Sequence, residues 1–466
     1  MVFSPIYFTN SLSQDRELFQ PLSERKVSIY SCGPTVYDAS HIGHARSFIV
    51  WDVLVRFLRL AGYEVVWVRN LTDIDDKIIN RAGELGITPE KLARIETCRF
   101  WNDMCSLNVD WPQYEPRATE NLAQMFEFIR RLIDCGFAYQ AQNGDIYFRV
   151  SKLTNYGQLK ALSEDNRALA RVLHSECKEH KNDFALWKAF PPHEIGYISP
   201  FGYGRPGWHL ECSSMIDTFL GETIDIHTGG DDLIFPHHEN EIAQSESLHG
   251  GKKLANYWLH NGMLLIDGRK MSKSERNYIT IREALSQFSA NALRFFVLSG
   301  HYRQTLNYTC EGLEGAEKGF QRLLQSCTET GADSKKPETL KEDLPEDLIS
   351  SFLACLADDL NTPKTLAFLF EIAHRINKGE TKLKNFLQFG LENLGFCLVV
   401  KQSQNQASEM AQKFSRVLMK LRDQARQEKN FPLSDQIRDL LRQEGFSIKD
   451  TAQGSEICSL TNERGN

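Results

Sequence analysis

Two short segments carry side chains suited to phosphate chemistry. His41-Ile42-Gly43-His44 stands where a chain leaving a strand would enter a helix, and Lys270-Met271-Ser272-Lys273-Ser274 follows far downstream in a polar loop. A helix N-terminus offers unpaired N–H groups and the positive end of the helix dipole, both of which favour a triphosphate, and Gly43 lets the backbone come close. The two lysines supply the cations that a departing pyrophosphate needs. Either segment alone is commonplace, the first as a chance helix start and the second as a solvated loop. Together, in this order, they point to an enzyme that activates its substrate with ATP.

A second constellation is more scattered: Cys32, Cys212, His237 and Glu241. His237 and Glu241 are four apart on one expected helix, so both side chains leave the same face and can meet one ion. Each cysteine is expected to follow or enter a loop at the same rim. Two sulfurs, one imidazole and one carboxylate suit tetrahedral Zn²⁺, with typical distances of about 2.3 Å to sulfur and about 2.0–2.1 Å to nitrogen. Spacing leaves a plainer reading open, in which two thiols are buried and His237, His238, Glu239 and Glu241 face water.

The elements that must position these groups follow from periodicity. Lys26 to Ser31 reads as a strand closed by Gly33-Pro34. His41 to Leu60 reads as a helix, because Ile49, Val50, Val53, Leu54, Phe57, Leu58 and Ala61 recur along one face, and Gly62 ends it. Tyr63 to Val68 is then a continuous apolar strand, completing a βαβ unit with parallel pairing and right-handed winding. In such sheets ligands sit beyond the carboxyl ends of the strands, which places Cys32, Gly33 and Thr72 to Asp76 on one rim. Ile224 to His227 is a returning strand that runs into Gly229-Gly230-Asp231-Asp232, and Pro236 opens a helix through His249.

The expected fold is therefore α/β: a doubly wound, parallel, Rossmann-type catalytic domain over 1–110 and 201–310, interrupted by an inserted subdomain over 111–200. Within the insertion, Tyr139 to Tyr147 reads as a hairpin with Asn143-Gly144 at its turn. Helical periodicity then dominates, as in Leu366, Leu369, Phe370 and Ala373 after the Thr362-Pro363 helix start, giving a helical bundle over 311–405 and a small C-terminal domain over 406–466. Thr328 to Pro345, rich in charge and poor in apolar residues, reads as an exposed linker. No internal repeat is evident.

Composition bounds the rest. At 466 residues, with 41% hydrophobic and 25% charged residues, the chain is long enough for two to four packed units and has a globular balance. No apolar run approaches a bilayer span and no secretory signal opens the sequence, so no membrane association and a cytoplasmic location are expected. Eleven cysteines without a CxxC pair argue against a disulfide framework or a four-cysteine zinc ribbon. The net charge of −7 excludes a globally basic nucleic-acid binder, so such a partner must meet a local patch. One basic stretch exists, with Lys413, Arg416, Lys420, Arg422, Arg426, Lys429, Arg438 and Arg442 outnumbering acids, though these residues by themselves favour a solvated helix face.

From about Tyr30 to about Gly454 the chain resembles the cysteinyl-tRNA synthetases, a family of class I aminoacyl-tRNA synthetases. The resemblance rests on Cys32-Gly33-Pro34-Thr35-Val36-Tyr37-Asp38, the His41 to His44 signature, Thr72-Asp73-Ile74-Asp75-Asp76-Lys77, Gly204 to Cys212, Phe235 to Glu241 and Lys270 to Ser274. Asp183 to Lys188 in the insertion and Asp359-Leu360-Asn361-Thr362-Pro363 in the bundle add to it. It implies activation of L-cysteine by ATP with Mg²⁺, transfer to the terminal ribose of tRNA(Cys), and an anticodon-binding C-terminal domain. It further implies one Zn²⁺ on Cys32, Cys212, His237 and Glu241, with Cys32 and His237 thereby also at the substrate. His41, His44, Lys270 and Lys273 are implied as catalytic and ATP-binding groups, with Gly229 and Asp232 at the nucleotide. Trp208 would wall the amino-acid pocket, and Thr72 and Asp232 would hold its ammonium. A monomer is expected. The alternative within the same fold is a ligase that gives activated cysteine to an amino sugar, and from another class a zinc-dependent binder that has lost the chemistry. Three departures stand out: Glu275-Arg276 where leucine and glycine are usual, Asp231 where serine is usual, and no tryptophan in Gly454-Ser455-Glu456-Ile457.

Overall fold

The computed structural model describes residues 5–159, 177–271, 277–328 and 344–398, then scattered residues between 422 and 439 and the backbone of 446–451 and 454–459. The chain divides into two compact units, Met1–Cys397 and Leu398–Asn466.

The first unit opens with a small antiparallel pair, β1 (Tyr7–Thr9) and β2 (Arg16–Leu18), before β3 (Lys26–Ser31) enters the central sheet. Helix α1 (Ile42–Leu60) follows and returns the chain to β4 (Glu64–Arg69), which pairs parallel with β3 from Lys26↔Glu64 to Ser31↔Arg69. This is the βαβ unit that periodicity predicts. Helices α2 (Asp76–Leu85), α3 (Pro89–Ser106) and α4 (Leu122–Asp134) come next. They lead into β5 (Ala138–Gln140), β6 (Ile146–Phe148), β7 (Phe184–Ala189), β8 (Tyr197–Ser199) and β9 (Gly202–Pro206), an antiparallel sheet in the order β5-β6-β7-β9-β8. Strand β9 runs past the boundary expected at residue 200. It passes through Gly207, whose N–H donates to Leu186 O at 2.8 Å, straight into α5 (Trp208–Phe219).

The central sheet then resumes with β10 (Ile224–Gly230), α6 (Glu239–Leu248) and β11 (Ala255–Asn261), giving the all-parallel order β11-β10-β3-β4. Short strands β12 (Leu264–Ile266) and β13 (Arg269–Lys270) form a hairpin that carries the lysine signature, and β14 (Leu306–Tyr308) pairs parallel with β12. Helices α7 (Ile281–Gln287) and α8 (Ala290–Ser299) precede β14. Beyond it the described residues of this unit are helical: α9 (Cys310–Thr328), α10 (Glu346–Leu356), α11 (Thr362–Asn377) and α12 (Lys384–Asn393). Asn361 caps α11 by accepting from Lys364 N. Asp359 joins this helical region to the start of the chain, accepting from Thr9 N (2.8 Å), Thr9 Oγ1 (2.6 Å) and the Tyr302 hydroxyl (2.9 Å). In the second unit, β15 (Phe446–Thr451) and β16 (Gly454–Ser459) form an antiparallel pair. Arg438 pairs with Asp435 at 2.9 Å. Lys413, Arg416, Lys420, Lys429 and Arg442 of the basic stretch, and residues 329–343 of the expected linker, lie outside the described residues.

Helix α1 differs from the one-sided amphipathic helix that its apolar spacing suggests. Its buried residues include Arg46, Trp51 and Asp52 besides the expected stripe, because helices α8 and α12 cover the side away from the sheet. Polar groups so enclosed must be paired. Arg294 of α8 donates to Asp52 Oδ2 at 2.7 Å and to the carbonyls of Leu107, Asn108 and Leu394, while Arg56 Nε donates to Asp52 Oδ1 at 3.0 Å. Removing one partner strands the other charge in a dry site. Asp52→Ala is expected to lower the unfolding free energy by roughly 3–5 kcal/mol, read as a fall in the urea midpoint of the first unit. An unchanged midpoint would show that the pair is dispensable.

Candidate active site at the sheet rim

The carboxyl ends of β3, β10 and β11 and the N-terminus of α1 meet at one rim, where a cleft of about 380 Å³ opens. Gly33 must be glycine there: its N–H donates to Asn70 Oδ1 at 2.8 Å, and a Cβ would stand 1.5 Å from Asn70 O. His41 is the N-cap of α1, and the two signature imidazoles cap the helix reciprocally. His41 Nδ1 accepts from His44 N, and His44 Nδ1 accepts from His41 N, each at 3.3 Å, with the rings stacked 3.7 Å apart. Because both Nδ1 atoms accept, each neutral ring carries its proton on Nε2 and presents it as a donor. Burial, then the neighbouring His41, pushes His44 well below the ordinary imidazole range, so it stays neutral. Gly43 completes the cap, since a Cβ would lie 2.8 Å from His41 Nδ1.

The segment after the lysine signature is stapled to this helix start. Ile42 N donates to Ile279 O, Ile281 N to Ser40 O and the Tyr278 hydroxyl to Ala39 O at 2.8 Å. Asn277 Nδ2 donates to Lys270 O at 3.0 Å, so the two ends of the signature loop are clasped together. Lys270 is exposed and lines the cleft, whereas Lys273 lies outside the described residues.

Below the cleft floor Cys32, Cys212, His237 and Glu241 converge, with one donor atom from each within 4.8 Å of all the others. Cys212, His237 and Glu241 are each no more than 1% exposed. This overturns the plain reading in which the histidine-bearing helix faces water. Cys212 also lies within α5 rather than in a loop, because Gly207-Trp208 begins a helix whose second turn carries it to the rim. Pro236 follows a cis peptide bond inside a wide turn over Ile234–His238, and α6 starts only at Glu239. The four-residue spacing survives this irregularity, with His237 Nε2 at 2.9 Å from Glu241 Oε1.

The cluster is oriented by a surrounding layer. His209 Nδ1 meets His237 Nδ1 at 2.9 Å, which leaves His237 Nε2 facing Cys212 Sγ (3.5 Å) and Glu241. His227 Nε2 meets Glu241 Oε2 at 2.8 Å. Burial opposes charge on Glu241, yet His227 and His237 hold its carboxyl well below the usual range. Burial likewise opposes a charged His237, but Glu241 and Cys212 raise it to about 10. Burial pushes the Cys32 thiol up, while for Cys212 that push is overcome by hydrogen bonds with Cys32 and His237, leaving it at about 6. Two sulfurs, one imidazole and one carboxylate, each held from behind, fit a tetrahedral zinc ion. A second overlapping set, Cys32, His227, His238 and Glu241, shares two of the same donors.

Trp208 roofs this cluster, 39% exposed, with its ring stacked on His237 at 4.1 Å. Cys32, Trp208, Gly229, Asp231 and Asp232 line the same cleft as His41, His44 and Lys270. Thr72 is placed differently: it is 1% exposed, donates to Glu211 Oε2 at 2.8 Å and is not among the cleft-lining residues. Sequence reasoning did not single out Asn70, His209, His227 or His260. The signal was faint: Asn70 and His260 are single polar residues at or near the ends of parallel strands, His227 interrupts the apolar run of β10, and His209 sits in the first turn of α5.

Comparison with known proteins gives a consistent result. Residues 18–318 match the family model of the tRNA synthetases class I (C) catalytic domain, and residues 351–423 match the DALR domain. A cysteine–tRNA ligase of Caldicellulosiruptor saccharolyticus is 44% identical over 96% of this chain and 98% of its own length. One from Thermococcus gammatolerans is 42% identical over 96% and 97%. Among solved structures, Mycobacterium tuberculosis methionyl-tRNA synthetase in complex with methionyl-adenylate aligns with a TM-score of 0.58 at 16% identity, covering 80% of this chain and 88% of that one, a likeness of fold.

The donor set has a direct spectroscopic test. Adding Co²⁺ to metal-free protein should produce a thiolate-to-cobalt charge-transfer band at one equivalent, weakened by Cys212→Ser, abolished when Cys32 is also replaced by serine, and retained by Trp208→Phe. A band undiminished by Cys212→Ser would remove that sulfur from the set.

Proposed function

We propose a division of labour within a chain that belongs to the cysteine–tRNA ligase family of class I tRNA synthetases, enzymes that use ATP to attach cysteine to tRNA. Cysteine's carboxylate oxygen attacks the α-phosphorus of ATP, the bond to the bridging oxygen breaks, and pyrophosphate leaves with that electron pair. A hydroxyl of the terminal ribose of tRNA(Cys) then attacks the activated carbonyl and displaces AMP. The cleft's work in the first step is positioning and charge stabilisation. His41 and His44 donate from Nε2 to phosphate oxygens as the α-phosphorus becomes five-coordinate. Lys270 and Lys273 offset the charge on the leaving pyrophosphate, whose Mg²⁺ arrives with the ATP. Asp232, exposed on the cleft wall, takes the ammonium end, a role that the buried Thr72 does not share.

Cysteine differs from serine by one atom, and packing differences of that size discriminate by only about 1–3 kcal/mol. Cys32, Cys212, His237 and Glu241 would hold Zn²⁺, which when bound supplies a soft Lewis acid that favours a thiolate far above a hydroxyl. Trp208 keeps water from the sulfur end and fixes the His237 ring. The observation that carries this reading is the common cleft: Cys32 of the sulfur-selecting cluster, the aromatic roof Trp208, the two signature imidazoles and Lys270 all border one cavity, with the rest of the cluster just beneath it. The DALR match over 351–423 supports tRNA over an amino sugar as acceptor.

Cysteine-dependent exchange of labelled pyrophosphate into ATP tests the reading. Zinc-replete protein should catalyse it, preferring cysteine over serine by about 10⁴-fold or more. His44→Ala should lower kcat by about 10²–10³-fold with metal content unchanged. No exchange by zinc-replete protein would overturn the assignment, and exchange without discrimination would overturn the role given to the metal cluster.

A further inference from the structure

Asn261 is the last residue of β11, paired in register with Gly230 at the rim. It is 5% exposed and borders the cleft. Its Nδ2 donates to Gly262 O at 3.2 Å, and its Oδ1, though buried, has no hydrogen-bond partner in the protein. A buried amide oxygen without a partner is uncommon and costly, which marks it as an acceptor kept for a ligand. The amide cannot simply turn over, because that would set Oδ1 against the Gly262 carbonyl.

The wall bearing Asn261 is rigid. Gly262 N donates to Tyr302 O at 2.9 Å, and the guanidinium of Arg46, 2% exposed, donates to Met263 O (2.6 Å), to Tyr302 O (3.1 Å) and to Gln304 O. Around it the cleft is divided chemically. Asp231, after Gly230, is a charged acceptor suited to ribose hydroxyls, whereas Met263, Leu264 and Met271 offer the apolar surface that a purine face prefers.

We propose that Asn261 is the nucleobase-selecting residue, its Oδ1 accepting a hydrogen bond from the exocyclic amine of adenine. A fixed acceptor at that point favours a 6-amino purine and repels a 6-oxo purine, in the way a site built around one hydrogen bond rejects the analogue lacking it. The inference rests on the proposed nucleotide site, and the test separates the two. Pyrophosphate exchange is measured with ATP, with purine riboside triphosphate, which lacks the amine, and with ITP. Wild-type protein should use purine riboside triphosphate with a KM about tenfold higher than ATP and ITP less well still. Asn261→Ala should raise the KM for ATP by about tenfold while leaving that for purine riboside triphosphate unchanged. Equal losses with both nucleotides would reveal a structural role and overturn the proposal, as would wild-type protein indifferent to the amine. Absence of exchange by wild-type protein with every nucleotide would instead sink the parent reading.

Discussion

The carboxylate of Glu241, wholly removed from water, sets the terms for everything around it. Burying one unpaired charge costs several kcal/mol, so the sequence must surround it with partners that do not themselves demand solvent. His227 and His237 take one oxygen each, His209 holds the far nitrogen of His237, and two thiols close the remaining side. That requirement explains why two buried parallel strands carry polar side chains, His227 in the middle of β10 and His260 near the end of β11. It also fits the packing of α5, which carries Cys212, against α6, which carries Glu241. A site built this way is preorganised: the donors are oriented by neighbours rather than by whatever they will bind.

Helix α1 is the second organising element, because it ties the imidazole end of the cleft to the helical region. Its first turn carries the reciprocally capped imidazoles. One residue on, Arg46 fixes the strap that follows β11, and Asp52 receives Arg294 two turns later. The helix is enclosed on both sides, so its axis cannot drift without exposing those charges. Tyr302 links the same strap to Asp359, whose other contacts reach the first strand of the chain. Positioning of the two signature imidazoles is therefore shared by residues far apart in sequence.

Much of this was legible beforehand. The βαβ unit from Lys26 to Arg69 follows from apolar periodicity, and the Asn143-Gly144 turn, with Gly144 at φ 89°, follows from turn chemistry. The signature segments were readable because function holds their residues close together in sequence. The candidate metal cluster was harder: Cys32 and Cys212 gain meaning only when the sheet brings them within reach, and their placement came from resemblance more than from spacing. Asn261 was invisible because a single polar residue closing an apolar run looks like an ordinary strand terminus, and His227 because the sequence reading ended its strand there, whereas β10 continues to Gly230. The burial of Arg46 and Asp52 was missed for the opposite reason. A charged residue in a helix reads as solvent-facing unless a second layer of helices is known to cover it.

The passage from β9 through Gly207 into α5 has a consequence for how such a protein can vary. No slack separates the inserted sheet from the helix that bears Trp208 and Cys212, because the Gly207 N–H is already tied to β7. Displacements of the insertion are geared directly to the aromatic roof and one of its sulfurs. The outward face of that sheet is then free to drift in sequence only as far as its tilt stays constant, and tolerance to change should fall steadily from its outer strands toward β9.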